Sequence, residues 1–537
     1  MKRYSTDLRD YANQWTQKET DGVKYWQLEV VYCAKPQIIG GVPVQQLRIS
    51  APYIYMKRGA DGMVLPDASG VITSASGVAY TSATAPIIYH NTSGGYSASS
   101  IQDVNIGYLE QGYVHVSVAT RGKGTVDDDG KYIGQFPVLI VDLKAGIRFM
   151  KANSAYMPGN TESIAMRGHS SGGAVTTMLG ASGNAPVFDP YFDAIGAAKA
   201  TDDILIALCS APITNLSCAD AAYEWFHRAN KEYYLFKSMS VDKEGNKILE
   251  NVGPDTFYTL GSNKLGGRHE GKLSALLYDW FTNYVRRLGF DLGDDGRSGT
   301  FYTGLAEVYS RALTEYVRRY EQLPAARQQS GVTTGAGYID YLVENKNGNE
   351  WFDWDKNTKT ATVKSFDSMV YNFINRGKMC PSLDSYNYRS NENDAFVAPD
   401  GTRRHFDPVV RDMLKALIDK AGEYGWTAEE LTYIESLYAD YKNDVTEESA
   451  AMLEVMSPIN YIIDKNSGAC IAPWWRFRIG SNDGDHGFAA AWLTAHGLWK
   501  HTNAQVDIGV SWNMPHIDAQ LIEQDLYDYI DGIITNV

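Results

Sequence analysis

The feature that most constrains this chain is a short glycine-flanked turn at residues 168–172 (GHSSG), which lies between two apolar segments. The apolar residues 164–167 before the turn favour a strand, and residues 173–179 (GAVTTML) after it favour a helix. A serine in such a turn, with glycines two residues to either side, is typical of a nucleophile elbow, because small residues let the two backbones approach closely. Ser170 satisfies this spacing, whereas its neighbour Ser171 does not.

The surroundings of this turn decide between two interpretations. A bare G-x-S-x-G pattern is common by chance, and a plain turn rich in glycine and serine would explain it equally well. The predicted helix that begins behind Ser170 favours the negative charge that develops when a serine attacks a carbonyl carbon. We therefore interpret Ser170 as a nucleophile.

Strand and helix patterns alternate on both sides of the turn. The predicted strands are short apolar runs at residues 28–32, 47–55, 86–90, 113–118, 164–167, 204–209, 474–479 and 504–512. Helical patterns occur at residues 137–152, near 488–500 and at 518–533. This alternation predicts a mostly parallel sheet that is covered by helices.

The middle of the chain has a different pattern. From about residue 219 to 455 it is rich in aromatic residues, and apolar side chains recur at helical spacing over residues 273–288, 305–320 and 431–441. Thr427 and Glu430 form a capping-box pattern at the start of the last of these segments. We therefore predict an α/β core made of residues 1–218 and 456–537, interrupted by a helical insertion domain at residues 219–455.

A loop after the predicted strand 86–90 offers backbone donors for an oxyanion hole. It reads Asn91 to Tyr96 (NTSGGY), and its glycines let a backbone N–H turn toward a substrate oxygen. We expect the N–H groups of Ser171 and Gly95 to hold the oxyanion, with Gly94 as the reserve. A plain flexible loop is the alternative.

Candidates for the acid and the base follow the last two predicted strands. Asp483 and Asp485 come after residues 474–479, and His516 comes after residues 504–512. The chain order serine, aspartate, histidine is the order of the triad in the α/β-hydrolase fold, where the histidine moves the serine proton and the carboxylate orients the imidazole. The sequence predicts Ser170, Asp483 and His516 as this triad, with Asp485 as the competing acid.

The remaining histidines and acidic turns are weaker candidates. The other histidines considered lie within or beside a predicted helix, within early strands, or next to the nucleophile: His486, His496, His501, His90, His115 and His169. Acidic turns at residues 127–130, 291–296 and 483–485 offer oxygen ligands of the kind calcium prefers. None continues into a full loop with a late glutamate, so we interpret them as polar turns and predict neither a metal nor another cofactor.

The composition of the chain limits the classes of partner that it can bind. The formal charge of −15 repels nucleic acid and anionic lipid, and no apolar run is long enough to span a membrane. The scattered, odd-numbered cysteines argue against a disulfide framework or a zinc site, and we expect inert thiols at Cys33, Cys209, Cys218, Cys380 and Cys470. Residues 1–15 lack the apolar region of a secretory signal, so a cytoplasmic protein and one secreted with its signal removed are both open, and we assign no oligomeric state.

Several segments together give the chain a resemblance to bacterial tannases (tannin acyl hydrolases), within the wider tannase and feruloyl esterase family. Besides the elbow, these segments are residues 94–96, 112–122 (GYVHVSVATRG), 179–190 (LGASGNAPVFDP), 211–225 (APITNLSCADAAYEW), 457–462 (SPINYI) and 475–485 (WRFRIGSNDGD). The resemblance covers most of the chain. It implies an α/β-hydrolase fold, the triad named above, and an insertion that acts as a lid and recognises a galloyl ring.

The resemblance also implies how a phenolic ring is held. In tannases a lysine, a glutamate and an aspartate bind the phenolic hydroxyls, and these residues match Lys378, Glu392 and Asp485. Carboxylates accept hydrogen bonds from phenolic O–H groups, and an ammonium donates to the ring oxygens. Solvated loop charges are the alternative for Lys378 and Glu392. Tyr388 and His486 depart from the tannase pattern.

The triad residues predict a serine esterase that works through an acyl-enzyme without a cofactor, and the resemblance implies that its substrates are small phenolic esters of the galloyl type. Two alternatives stay open. One is a feruloyl or chlorogenate esterase. The other is a non-catalytic protein that binds polyphenols or carbohydrates on a hydrolase scaffold, since 12 tryptophans and 36 tyrosines would also serve to stack on rings.

Overall fold

A computed structural model gives the structure of the chain. It describes residues 4–234, 257–262, 267–324, 328, 331–388, 390–485, 487–518, 520 and 525–536. Its centre is a nine-stranded mixed sheet. We number the strands of this sheet β1 (Thr16–Thr20), β2 (Val23–Val31), β3 (Gln46–Pro52), β4 (Ile87–His90), β5 (Val114–Ala119), β6 (Ile164–His169), β7 (Ile206–Ser210), β8 (Trp474–Gly480) and β9 (Gln505–Ser511).

The strands lie in the order β1-β2-β3-β5-β4-β6-β7-β8-β9. The pairs β1–β2, β2–β3 and β3–β5 are antiparallel, and every later pair is parallel. Strands β4 to β8 are almost entirely buried, as expected for parallel strands that helices cover on both faces. The carboxyl ends of β6, β8 and β9 therefore meet at one edge, where ligands bind in open α/β sheets.

Helices connect the parallel strands and fill the middle of the chain. In chain order they are α1 (Ile106–Glu110), α2 (Val138–Ala152), α3 (Ser171–Ala181), α4 (Asp189–Ile195), α5 (Ala219–Phe226), α6 (Gly267–Arg287), α7 (Thr300–Arg319), α8 (Gly335–Asn345), α9 (Gly348–Trp351), α10 (Phe366–Asn372), α11 (Asn391–Ala395), α12 (Pro408–Asp419), α13 (Ala421–Tyr424), α14 (Ala428–Asp444), α15 (Glu447–Val455), α16 (Pro458–Ile463), α17 (Ala489–His501) and α18 (Leu526–Ile534). The capping box predicted from Thr427 and Glu430 is present at the start of α14.

The predicted strands agree with the structure to within a few residues at most ends. The antiparallel strand β1 was absent from the prediction, because its residues Thr16–Thr20 are polar and all exposed. The last helix begins at Leu526 rather than at residue 518, and residues 519 and 521–524 lie outside the described part of the chain. The sheet was predicted to be mostly parallel and is mixed. Its first three strands pair in antiparallel fashion, and the other six are parallel to one another.

The segment between β7 and β8 adds no strand to the central sheet in the part of it that the structure describes. It is not purely helical, because Phe352–Asp355 pairs with Thr360–Val363, and Glu232–Tyr234 pairs with Phe257–Thr259. This segment packs on the α/β part of the chain: Trp492 of α17 contacts Phe301 of α7 and donates a hydrogen bond to its carbonyl oxygen. A separate insertion domain with boundaries at residues 219 and 455 stays a prediction.

Two further expectations concern the state of the cysteines and the presence of membrane-spanning helices. All five cysteines are free thiols, and only Cys470 is exposed. Among the described helices, none combines the length and the apolar character needed to cross a membrane.

Candidate active site

Strand β6 and helix α3 hold Ser170 in a sharp turn. The residue has φ 59° and ψ −126°, a conformation that L-residues rarely adopt, and its N–H donates to the carbonyl oxygen of Ser210 on β7 at 3.0 Å. The flanking glycines make this turn possible, because a Cβ on Gly168 would lie 2.2 Å from the carbonyl oxygen of Gly172. The local structure is therefore the elbow that the sequence predicted.

The structure brings the three predicted triad residues together. Nε2 of His516 lies 2.9 Å from Oγ of Ser170, and Nδ1 of His516 lies 2.8 Å from Oδ2 of Asp483. Asp483 is buried and the imidazole is mostly buried. These distances form one continuous hydrogen-bonded chain from a hydroxyl through an imidazole to a carboxylate.

The loops after β8 and β9 support this geometry by bonding to each other. Asn482 N–H donates to the carbonyl oxygen of Met514 at 3.0 Å, and Asn513 N–H donates to Oγ of Ser481 at 2.8 Å. Gly480 lets the two backbones approach, since a Cβ there would lie 2.2 Å from the carbonyl oxygen of Pro515. The acid and the base are therefore held relative to each other by the end of the sheet.

The charges around His516 act in opposite directions on its pKa. Burial lowers the pKa, the adjacent Asp483 raises it, Asp485 raises it further and Lys378 lowers it. The net result is a pKa above the usual imidazole value of 6.5. The ring of His169 also faces His516, with the ring centres 4.8 Å apart.

The backbone N–H groups of Ser171 and Gly95 lie beside the elbow, and neither has an acceptor among the described residues. Gly94, the reserve candidate, donates its N–H to the carbonyl oxygen of Thr92 at 2.7 Å and is therefore occupied. Gly95 has φ +58°, which favours glycine. The geometry thus favours Gly95 over Gly94 as a free donor.

Asn91 connects the loop of residues 91–96, which we call the donor loop, to the elbow through hydrogen bonds. Its Nδ2 donates to the carbonyl oxygens of Arg167 at 2.9 Å and Gly172 at 3.3 Å, and its Oδ1 accepts the N–H of Ser93 at 3.3 Å. The side chain is buried. Sequence analysis did not single out this residue, because an asparagine after a strand is an ordinary turn signal.

The predicted ring-binding residues come from separate segments. Lys378 and Asp485 are half-buried, and both act electrostatically on His516. Glu392 is buried on α11, and its carboxylate has neither a hydrogen-bond nor an ion-pair partner among the described residues. Its neighbour Asn391 reaches the donor loop, since a Cβ on Gly95 would lie 2.9 Å from the Asn391 side chain.

The rival histidines are placed elsewhere or outside the described residues. His90 and His115 lie on β4 and β5, where burial is the main cause that lowers the pKa of each ring, to about 3 for His115. His496 and His501 belong to α17. His486, whose position beside Asp485 departs from the tannase pattern, lies outside the described part of the chain.

One group of side chains in the described part of the chain has donor atoms close enough to hold a cation. The ligand atoms of Asp483, Asp485 and His516 lie within 4.8 Å of one another. A cation bound to His516 would occupy a ring nitrogen, and both ring nitrogens are hydrogen-bonded, one to Asp483 and one to Ser170, so a bound cation and the complete hydrogen-bonded chain exclude each other.

Comparisons with known proteins show what the chain is similar to. The family model BD-FAE, of an esterase family, matches residues 82–258, and no curated protein sequence matches the chain. The crystal structure of tannase from Lactobacillus plantarum is 25% identical with a TM-score of 0.71, covering 97% of this chain and 98% of that one. Fusobacterium nucleatum tannase is 24% identical with a TM-score of 0.72, covering 99% and 100%, and supports the fold alone.

A further solved structure, titled tannin acyl hydrolase in complex with ethyl gallate, is 25% identical with a TM-score of 0.69 and covers 97% of each chain. The resemblance to bacterial tannases is thus confirmed over nearly the whole length of the chain. The similarity also supports an enzyme over the non-catalytic binding protein that composition left open. Together, the esterase family match and the full-length similarity identify the chain as a carboxylic ester hydrolase with an α/β-hydrolase-type fold.

Proposed function

We propose that this chain is a serine esterase that hydrolyses galloyl-type phenolic esters through an acyl-enzyme. The observation that carries the proposal is the hydrogen-bonded chain from Ser170 through His516 to Asp483, at 2.9 Å and 2.8 Å. A hydroxyl, an imidazole and a buried carboxylate in this order are the parts that acyl transfer to serine requires.

In the first half of the reaction, Oγ of Ser170 attacks the ester carbonyl carbon and its proton passes to Nε2 of His516. The buried Asp483 orients the imidazole and stabilises the imidazolium. The tetrahedral intermediate collapses when the C–O bond to the alcohol breaks, and the imidazolium returns its proton to the leaving oxygen. An acyl-Ser170 ester remains.

The free N–H groups of Ser171 and Gly95 are the proposed oxyanion donors. Both come from backbone that the elbow and the donor loop hold rigidly, so they stabilise the developing negative charge without reorganising. In the second half, His516 removes a proton from water, the hydroxide attacks the acyl carbon, and the phenolic acid leaves as the Ser170 hydroxyl is restored.

The acyl ring is proposed to lie among Lys378, Glu392 and Asp485. The buried carboxylate of Glu392 has no partner among the residues that the structure describes, which is costly unless a ligand donates to it, and vicinal phenolic hydroxyls are such donors. We further propose that the segment that provides Lys378 and Glu392, within residues 219–455, forms a separate domain that covers the site. The ligand in the tannin acyl hydrolase complex, ethyl gallate, is an ester of this class.

A panel of three esters tests the proposal. Methyl gallate, methyl ferulate and p-nitrophenyl acetate are compared by kcat/KM, and methyl gallate is expected to be hydrolysed about 100-fold more efficiently than methyl ferulate, because sites built for hydroxyls reject analogues that lack them. A preference for methyl ferulate would instead support the feruloyl or chlorogenate esterase. Turnover of p-nitrophenyl acetate alone would contradict both acyl assignments.

A further inference from the structure

Tyr223 on α5 joins two segments that both contribute to the proposed site. Its hydroxyl donates to the carbonyl oxygen of Gly484 at 2.6 Å, and it accepts the N–H groups of Gly377 at 3.1 Å and Lys378 at 3.2 Å. The residue is buried, and burial raises the pKa of its hydroxyl above the usual value, so the group is a neutral donor. One hydroxyl therefore satisfies three backbone groups.

The two segments also contact each other directly. Gly377 N–H donates to the carbonyl oxygen of Gly484 at 3.0 Å, and Asn375 N–H donates to Oδ1 of Asn482 at 3.1 Å. A Cβ on Gly377 would lie 2.9 Å from the Gly484 oxygen, and a Cβ on Gly484 would lie 2.3 Å from the Asn375 oxygen. The approach of residues 375–378 to residues 482–485 is thus close enough to require glycine on both sides.

Glu224, which follows Tyr223, holds the same segment through a second contact. Its carboxylate forms a bidentate ion pair with Arg376, and both side chains are fully buried. Arg376 Nε in turn donates to the carbonyl oxygen of Lys378 at 2.7 Å. Helix α5 therefore holds both the N–H and the carbonyl of Lys378.

The loop on the other side has independent support from the sheet. Asp483 N–H donates to the carbonyl oxygen of Gly480 at 3.2 Å, and Asn482 N–H donates to Met514 across the end of β8 and β9. Loss of the Tyr223 hydroxyl is therefore expected to displace Lys378 more than Asp483.

We infer that Tyr223 is a positioning residue that sets the location of Lys378 relative to the Asp483–Asp485 loop, and thereby couples recognition of the acyl ring to the reacting groups. The inference rests on the proposed function, because it takes Lys378 as a ring-binding residue. It assigns to Tyr223 no contact with the substrate.

The first test is Tyr223→Phe, which removes the hydroxyl without a cavity. We expect kcat/KM for methyl gallate to fall about tenfold, mainly through KM, because Lys378 N–H loses its hydrogen-bond partner, while Gly377 N–H and the Gly484 carbonyl keep only their bond to each other. The value for p-nitrophenyl acetate, which has no phenolic acyl ring, is expected to stay within about twofold. The matched control is Tyr55→Phe, another buried hydroxyl that donates to a backbone carbonyl, that of Gly112 at 2.9 Å, and it is expected to change neither ester.

A double-mutant cycle shows whether Tyr223 acts through Lys378. In a Lys378→Met background, Tyr223→Phe should cause almost no further loss on methyl gallate, because the side chain that it positions is gone. An undiminished tenfold loss in that background would overturn the inference. An equal loss of kcat/KM on methyl gallate and on p-nitrophenyl acetate in the single variant Tyr223→Phe would overturn the inference as well.

The pH profile of p-nitrophenyl acetate hydrolysis is a second readout that does not depend on gallate. The charged or titratable groups facing His516 are Asp483, Asp485, Lys378 and His169. Since Lys378 lowers the pKa of His516, Tyr223→Phe and Lys378→Met should both move the acid limb of kcat/KM to higher pH. An acid limb that Lys378→Met moves and Tyr223→Phe leaves in place would contradict the positioning role.

The two proposals fail in different ways. If Lys378→Met weakens both esters equally, the ring-binding role of Lys378 is wrong. If Lys378→Met is selective for methyl gallate but Tyr223→Phe is not, only the positioning role is wrong. Should Tyr223→Phe not fold, Gly377→Ala replaces it, because the added Cβ pushes the same two segments apart and should produce the same selective loss.

Discussion

The proposed site has two halves that are held in different ways. Ser170, Asp483 and His516 follow the ends of β6, β8 and β9, so the parallel ladder of the sheet sets their separation. Lys378 and Glu392 belong to no strand of that sheet. The backbone of Lys378 is held instead by side-chain hydrogen bonds, from Tyr223 on α5 and from Arg376.

The surroundings of Glu392 show the second kind of support most clearly. Its neighbour Asn393 is buried, donates from Nδ2 to Asp384 at 2.6 Å and accepts the hydroxyl of Ser390 at 2.9 Å. Asp384 also accepts Nδ1–H of His405 at 2.8 Å, with the ring nitrogen assigned as the donor. A polar network of this kind fixes one arrangement, and a single substitution can release it.

From this difference we expect the chemical step and the acyl selectivity to change independently of each other. A sheet edge is generic, and many enzymes use it for the same reaction. A network of individual hydrogen bonds is specific to one sequence. Substitutions of Ser170, Asp483 or His516 should therefore lower the hydrolysis of all esters alike. Substitutions of Lys378 or Glu392 should lower the hydrolysis of methyl gallate more than that of p-nitrophenyl acetate.

The largest effect is expected for Ser170→Ala. Without the nucleophile, kcat for both methyl gallate and p-nitrophenyl acetate should fall by about 10⁴-fold or more, while the unfolding temperature stays close to that of the unaltered protein. The initial burst of p-nitrophenol should also disappear. A loss of activity on only one of the two esters would contradict the expectation that the triad residues act on all esters alike.

The next effect concerns the stability of the segment that carries Lys378. Arg376→Met leaves the buried Glu224 carboxylate without its cation, and the free energy of unfolding should fall by about 3–5 kcal/mol in urea denaturation. Arg9→Met is the matched control, since its ion pair with Asp7 is exposed and should contribute nothing measurable. Equal stabilities for the two variants would mean that the ion pair does not hold the Lys378 segment.

A smaller, selective effect is expected from the ring-binding residues. Lys378→Met and Asp485→Asn should each lower kcat/KM for methyl gallate by about 10–100-fold relative to p-nitrophenyl acetate, because each removes a charged partner of a phenolic hydroxyl. Initial rates over a range of concentrations of both esters measure this ratio. A ratio that does not change would remove both residues from the ring site.

The smallest effect is a shift in pH dependence. The imidazole must be neutral to accept the serine proton, and its pKa is raised, so kcat/KM should begin to fall at a pH above 6.5 as the solution is acidified. Asp485→Asn removes a charge that raises the pKa of His516, so the acid limb should move to lower pH. Lys378→Met should move it to higher pH. Shifts of the same sign in the two variants would contradict the electrostatic assignment.

The sequence was most informative where structure is periodic. The elbow, the strands around it and the positions of Asp483 and His516 all follow from runs of apolar residues and from what comes after them. These patterns extend over many residues, so one misplaced boundary does not change the conclusion. The polar strand β1 has no such pattern, because both its faces are exposed, and it was not predicted.

Single hydrogen bonds leave no comparable signal. Tyr223 lies on a helix rich in apolar residues and has the spacing of an ordinary core tyrosine, although its hydroxyl joins two distant segments. Lys378 and Glu392 are proposed as ring-binding residues only through the family resemblance, since charged loop residues are usually solvated. Which segments of a chain meet at such a hydroxyl depends on tertiary packing, and composition and spacing do not encode it directly.

The central claim is that Ser170 is the nucleophile and that His516 activates it. The most direct test is labelling of the intact protein with a fluorophosphonate, followed by peptide mass spectrometry. We predict one adduct, on the peptide that contains Ser170, absent in Ser170→Ala and formed far more slowly in His516→Ala. An adduct on another serine, or equally fast labelling of His516→Ala, would contradict this account.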